Sequence, residues 1–311
     1  MEFISDPNNH NTGRELPWYT ARRRPSGRNP LTSPKPSFFR RVESRVRYQL
    51  GLPFPWVQQS LLGHDLVLRA GTLRDEPDYD DAWLFACLKH ADVMFDVGAN
   101  VGQSALMALL CRNIKQVVLV EANWEALSVA AQNLVRNNLS VRARFVGAFA
   151  AEASNTTVDF WTVGTGAAGS MYEGHAVTAA REGSVKRVPT VTLDELCETY
   201  DTVPDLVKID VEGAESKVLH GCKQTATRHK TRFLVEMHSP PELPMVRNAA
   251  LVFEWAKAVG YAVWYLSGAI RIETPEPIQH RGRCHLLLQP ADWRYPDWLV
   301  GIKQSAPLPG A

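Results

Sequence analysis

The stretch ADVMFDVGANVG, residues 91–102, restricts the fold more than any other part of the chain. Val93 to Val97 form a short apolar strand, Gly98 and Gly102 bracket a turn, and SALMALLCR continues as a helix. A strand that delivers glycines to a helix start is how α/β proteins bring backbone close to a ligand. The next fifty residues keep the alternation. VVLVE reads as a second strand, WEALSVAAQNLVRNN as an amphipathic helix capped by Asn123, and Arg142 to Val146 as a third strand. Such alternation predicts a parallel sheet covered on both faces, with right-handed crossovers placing the strand ends along one edge.

The rhythm resumes later. DLVKID reads as a strand, VEGAESKVLHGC as a turn leading into a helix, and RFLVEMH as a strand broken off by the prolines at 240, 241 and 244. VRNAALVFEWAKAVG is a helix ended by Gly260, and YAVWYL and CHLLLQ are the last strands. Between the halves, residues 147–190 break the pattern. TTVDFWTV is strand-like and VGTGAAGSMYEGHA a glycine-rich loop, an insertion that suits a lid or a substrate-facing segment. Thr192 and Glu195 match a capping box ahead of LDELCETY. Before the sheet, LLGHDLVLRAGT suggests a hairpin, and DYDDAWLFACLKH a helix that buries Trp83, Leu84 and Leu88. The expected layout is a flexible, basic, Pro-rich leader over 1–40, an N-terminal cap segment over 41–92, the main domain over 93–290, and a C-terminal tail over 291–311 tied back by Trp293, Tyr295 and Trp298.

Composition closes off other classes. With 45% hydrophobic residues among 311, the chain has enough apolar surface for one large core. No run approaches 18 apolar residues, so a membrane-spanning helix is not expected, and the first fifteen residues lack the apolar core of a signal peptide. The cysteines at 87, 111, 197, 222 and 284 form no CxxC motif and suit buried thiols in a reducing compartment, with the cytoplasm as the expected location. The net charge of +1 is uneven: residues 1–50 carry ten Lys/Arg against four Asp/Glu, a balance of +6, which leaves −5 on the rest. An acidic body without a basic–aromatic stripe gives no clear nucleic-acid signal.

Four groups of chemistry-bearing residues fall at strand ends, where open α/β sheets bind ligands. The first runs Asp96-Val97-Gly98-Ala99-Asn100-Val101-Gly102. Its GxxxG spacing differs from the GxGxxG that cradles a pyrophosphate. With an aspartate ahead of the turn and an asparagine within it, the segment suits a smaller cationic ligand carrying an amino-acid head and a sulfonium; the same residues can also form a plain tight turn. Glu121 ends the second strand, where a carboxylate can accept both ribose hydroxyls of an adenosine. Asp210 and Glu212 bracket the exit of DLVKID and can orient a nucleophile or accept its proton. Glu215 falls in the first turn of the next helix, a mainly structural place. Glu236 and His238 end RFLVEMH, and adjacent strands would gather Asp210, Glu212, Glu236 and His238 at one edge. His238 is then the best-matched proton acceptor near neutrality, and the same group can ligate a divalent cation. His64, His90, His175 and His220 lack ligand spacing and read as surface residues.

In chain order, FDVGANVG (95–102), VEAN (120–123), VPTVTLDEL (188–196), DLVKIDVEGAESKVLHG (205–221) and FLVEMH (233–238) resemble the motifs of the FkbM-type methyltransferases, over about residues 90–240. The resemblance implies a class I methyltransferase Rossmann-like sheet, mostly parallel and seven-stranded with helices on both faces. It also implies S-adenosylmethionine as methyl donor to a hydroxyl on a small molecule or sugar. By this carry-over Asp96, Gly98, Asn100 and Gly102 shape the methionine end, Glu121 holds the ribose, and Ala122, Ala148 and Phe149 border the adenine. Asp210 lies beside the transferring methyl; Glu212, Glu236 and His238 line the acceptor side, with His238 as the base assisted by Asp210 or Glu236. Two places depart from the family pattern. Glu121-Ala122-Asn123-Trp124 stands where EPNP is common, and Gly147-Ala148-Phe149 follows the third strand where NAA is common. Trp124 or Phe149 is expected to supply the apolar surface there.

A nicotinamide-dependent oxidoreductase would share the turn and Glu121, but it needs GxGxxG at that turn, where this chain has GxxxG, and a Tyr-x-x-x-Lys pair, which does not occur. A non-catalytic binding protein of the same fold is the other alternative. Retention of Asp96, Glu121, Asp210 and Glu236 argues against it, because each is a desolvation risk at the sheet edge.

Overall fold

The computed structural model describes residues 53–74, 76–164 and 169–309, all within one compact unit, Arg47–Ala311. The leader expected over 1–40 lies outside the described residues. The described part begins with the expected hairpin. Trp56–Leu61 (β1) and His64–Arg69 (β2) pair antiparallel across Leu62 and Gly63, whose positive φ angles of 52° and 75° match the twist of a two-residue hairpin turn. The helix Asp81–Leu88 (α1) comes next and buries Trp83, Leu84 and Leu88.

Apolar strands and amphipathic helices then alternate as their spacing predicts: Val93–Val97 (β3), Gln103–Leu110 (α2), Gln116–Val120 (β4), Trp124–Arg136 (α3) and Ala143–Val146 (β5). Asn123 caps α3, its Oδ1 accepting from the Glu125 amide at 3.0 Å. The insertion forms its own small sheet. Phe149–Ala150 (β6) and Thr157–Trp161 (β7) flank Val185–Val191 (β8), with the short helix Val177–Arg181 (α4) before β8. Leu193–Thr199 (α5) starts at Thr192, whose Oγ1 accepts from the Glu195 amide at 3.1 Å. The second half supplies Leu206–Ile209 (β9), Glu215–His220 (α6), Lys223–His229 (α7), Arg232–His238 (β10), Met245–Val259 (α8), Tyr261–Tyr265 (β11), Ile270–Ile272 (β12) and Arg283–Pro290 (β13).

The main sheet runs β12-β11-β13-β10-β9-β3-β4-β5. From β5 to β10 neighbouring strands are parallel, whereas β13 is antiparallel to both β10 and β11. The sheet is mixed rather than wholly parallel, in keeping with the mostly parallel class I methyltransferase sheet that the resemblance implies. It has eight strands instead of the expected seven, because the three-residue β12 adds an edge. Chain direction across the sheet reverses between β3 and β9, so the switch point sits where Gly98 meets the exit of β9.

Both sheet faces are buried, and alternate residues divide between them. Phe95 and Val97 of β3 join Val118, Val207, Phe233 and Trp255 on one face. Met94 joins Val117, Leu119, Leu206, Leu234 and Leu287 on the other, together with Leu68 of the hairpin and Trp83 of α1. Strand parity puts Asp96, Lys208, Glu236 and His285 on that second face too. The hairpin is clipped to α3 by side chains: Asn137 Oδ1 accepts from the Val67 amide (2.9 Å) and Asn133 Oδ1 from the Arg69 amide (2.8 Å). The tail returns as expected, with the Tyr295 ring 5.2 Å from that of Trp264 and the Trp298 ring stacked on His90 at 4.3 Å. Among the described residues no helix is long and apolar enough to cross a membrane.

Because Leu68 is fully buried in the shared core, Leu68→Ala is expected to lower global stability by about 2–5 kcal/mol. Denaturant unfolding should keep a single transition; a separate early transition of the hairpin, with the main one unmoved, would contradict this packing.

Candidate active site

Gly98 is required by contact as well as by conformation. Its φ is 82°, and a Cβ would collide with the Asp210 carbonyl. The Gly98 amide donates to Val120 O and the Asp210 amide to Val97 O, both at 2.9 Å, which joins three strand ends. Glu121 locks the turn further. Its Oε2 accepts from the Asn100 amide (2.8 Å) and its Oε1 from the Asn123 amide (2.7 Å), and each oxygen keeps a lone pair for a ligand hydroxyl. Burial pushes the Glu121 carboxyl up to about 7 despite those two amides. Gly102, also at positive φ, serves packing instead: a Cβ there would press on Ala130 of α3.

A cavity of about 280 Å³ opens at this switch point. Gly98, Asn100, Glu121, Ala122, Ala148, Phe149, Asp210 and Glu212 line it, all of them expected site residues. Arg74, Asp78, Asp80 and Asp81 also line it, contributed by the segment before β3. Sequence reading missed these four, although the acid-rich run DYDD ahead of α1 was the available signal. Of the remaining expected residues, Asp96, Gly102, Glu236 and His238 stand behind the lining. Asp96 is fully buried without a well-formed hydrogen bond, and burial pushes it up to about 6.

Lys208 organises the charges behind the cavity. Its Nζ donates to Asp210 Oδ2 at 3.0 Å, stands 3.8 Å from Asp80 Oδ2, and belongs to the residue in register with Asp96. Burial would lower an ammonium, yet Asp210, Asp80, Asp96 and Glu236 outweigh it and hold Lys208 above the usual lysine range.

His238 is only 5% exposed. Its Nδ1 lies 2.9 Å from Glu215 Oε1, and its Nε2 lies 3.3 Å from Glu212 Oε2, 3.5 Å from Glu236 Oε1 and 3.9 Å from Asp210 Oδ1. Burial opposes its charge, but hydrogen bonds to Glu215 and Glu236, with the field of Glu215 and Glu212, carry it up to about 11. These surroundings favour the charged form of the histidine expected to accept a proton. Glu215 also proves more than a helix-start acid. Its Oε1 accepts from the Gly213 amide (3.0 Å) and its Oε2 from Asn248 Nδ2 (2.7 Å), which fixes the carboxylate that orients His238.

The insertion contributes His175, a residue whose spacing reads as surface. His175 Nε2 hydrogen-bonds Glu212 Oε2, and its ring stands edge-on to His238 at 5.6 Å between centroids. Glu212 is held in a left-handed conformation (φ 55°), with its carbonyl accepting from Ser170 Oγ at 2.9 Å. The only sequence signal for His175 was its place in the loop expected to face the substrate. The two departures from the family pattern touch each other. Trp124 lies across Gly147, where any Cβ would strike the indole, and it is 58% exposed outside the cavity. Phe149, packed edge-on against Phe160 at 6.0 Å, supplies the apolar lining instead.

Among solved structures, the FkbM methyltransferase from Methylobacillus flagellatus is 18% identical over 71% of this chain, with a TM-score of 0.40; this chain covers 46% of that one, less than half its length. An O-methyltransferase from Bacillus cereus in complex with SAH is 14% identical, covering 83% of this chain and 92% of that one at a TM-score of 0.41. A SAM-dependent methyltransferase from Agrobacterium tumefaciens is 14% identical, covering 78% and 70% at 0.42. No curated protein matches the chain. The methyltransferase FkbM domain model matches residues 96–262, from the Asp96 carboxylate through the start of β11, which is more than half of the sequence. The chain belongs to the FkbM methyltransferase domain family.

Proposed function

We propose that this protein is an S-adenosylmethionine-dependent methyltransferase that methylates a hydroxyl on a small molecule or sugar. The observation that carries the reading is Glu121, a buried carboxylate fixed by two amides in a cavity whose wall also holds Asp210 and Glu212. The residues fit such a donor: Gly98 has no side chain to block the approach, Glu121 matches a ribose diol, and the carboxylate excess suits a sulfonium.

The bound donor supplies an already activated methyl group, so the protein's work is alignment and proton removal. Glu121 would hold the ribose hydroxyls, the Gly98–Asn100 turn would hold the methionine end, and Phe149 would supply apolar surface to the adenine. Asp210, oriented by its hydrogen bond from Lys208, would stand beside the transferring methyl. For the acceptor proton, His175 suits better than His238. Glu212 Oε2 holds the proton on His175 Nε2 and leaves Nδ1 as the acceptor. The His238 imidazolium offsets the repulsion among Asp210, Glu212 and Glu236. All five cysteines are free and three are buried, which supports a reducing compartment, the cytoplasm.

Glu121 gives a pH signature. Donor binding needs the carboxylate, whose pKa burial lifts to about 7, so affinity should rise from pH 6 to pH 8 and binding near pH 6.5 should release a proton. Calorimetry in two buffers of different ionisation enthalpy reads that proton directly. Glu121→Gln should remove the release and weaken the donor about 10–100-fold; unchanged affinity and proton release would refute the ribose role.

The base assignment has its own test, with S-adenosylhomocysteine formation measured over a panel of sugars and hydroxylated small molecules. His175→Phe should lower kcat about 10²-fold or more while donor affinity stays within twofold. Undiminished turnover would remove His175 from the mechanism.

A further inference from the structure

We propose that Asp80, Glu236 and His285 form a site for one divalent transition-metal cation, a reading independent of methyl transfer. The three donors come from separate elements: Asp80 precedes the first turn of α1, Glu236 is on β10, and His285 is its register partner on β13. One donor atom from each lies within 4.8 Å of the others, and His285 Nε2 stands 3.5 Å from Glu236 Oε2. Neighbouring ligands of a cation bound at about 2.1 Å lie ~3.0–3.4 Å apart, so a small inward movement completes the set.

Unmet hydrogen bonding points to the same place. Asp80 Oδ2 and His285 Nε2 are both buried and both lack a hydrogen-bond partner, while the two residues are each only 3% exposed. A single buried orphan is costly; two within reach of one ion share one remedy. Surrounding cations leave the position open. Lys208 is committed to Asp210 and stands 3.8 Å from Asp80 Oδ2, beyond a hydrogen bond. Arg283 Nη1 (2.9 Å) and His238 Nε2 (3.5 Å) both address Glu236 Oε1, not the Oε2 that faces His285. A second triad of Asp210, Glu236 and His238 also has donors within reach. There, however, Nδ1 is engaged by Glu215 and Nε2 faces three carboxylates. Two carboxylate oxygens and one imidazole suit Mn²⁺, Fe²⁺, Co²⁺ or Zn²⁺ better than Mg²⁺ or Ca²⁺.

The ion would tie the start of α1 to the sheet. It would also stand between the main cavity, which Asp80 lines, and a second cavity of about 160 Å³ lined by His285, Tyr79, Trp83 and Arg283.

The test uses the full chain, stripped of metal by a chelator and titrated with Co²⁺, read by visible absorption and unfolding temperature. One equivalent should bind, bring up ligand-field bands and raise Tm. Asp80→Asn and His285→Gln should each weaken binding at least tenfold, while His238→Gln keeps it within threefold. Binding that survives His285→Gln but is lost in His238→Gln would move the ion to the other triad and overturn the proposal, as would no saturable binding up to millimolar Co²⁺. Should a variant fail to fold, pulsed EPR of Mn²⁺ on the unaltered chain decides: coupling to an imidazole nitrogen is expected, and its absence overturns the site.

Discussion

A single buried ammonium, Lys208, balances the carboxylates gathered behind the cavity at the edge of this sheet. Lys208 emerges on the face of β9 that also bears Leu206, between Asp96 of β3 and Glu236 of β10, and beneath Asp80 at the start of α1. Four carboxylates in so small a buried volume would repel one another and take up protons. One cation, hydrogen-bonded to Asp210 and close to the others, makes the arrangement tolerable. The pair Lys208–Asp210 also joins structure to chemistry: one partner sits at the core side, and the other faces the cavity.

Outward from that centre, the edge divides into two tiers. Glu215, His238 and Glu236 are buried and linked by short contacts, with Asn248 fixing Glu215 from behind. Asp210, Glu212 and His175 are partly exposed. In the inner tier, Glu215 and Glu236 favour the charged form of His238, whose Nε2 also faces Glu212 and Asp210 of the outer tier. Glu212 spans both, and its left-handed backbone costs about 1–3 kcal/mol, offset by the Ser170 hydrogen bond and the His175 contact.

Much of this was legible in the sequence because parallel strands buried on both faces leave near-continuous apolar runs such as VMFDV and VVLV. The turn at Gly98, the cap at Asn123 and the stop at Gly260 are local chemistry and appeared where the residues placed them. The edge strand β12 was not legible, since three residues leave no periodicity to read. His175 was hidden for a related reason: it reaches Glu212 across 37 positions, and loops have no period. His238 falls beside Asp210, Glu212 and Glu236 as the strand ends suggest, but Glu215 also turns back toward it, a contact that spacing alone cannot show. The Trp124–Gly147 contact is similar. Two oddities in separate segments are one packing solution, in which the ring takes the space that a side chain at 147 would need.

In the proposed reading, this edge binds the sulfonium donor through Glu121, Asp210 and the Gly98 turn. Calorimetric titration of the full chain with S-adenosylmethionine, with NADH under the same conditions, tests it most directly. Saturable one-to-one binding of the methyl donor alone, at a Kd of roughly micromolar order, is the expected result. Binding of NADH alone would contradict it, as would silence from the methyl donor in both calorimetry and a second equilibrium method.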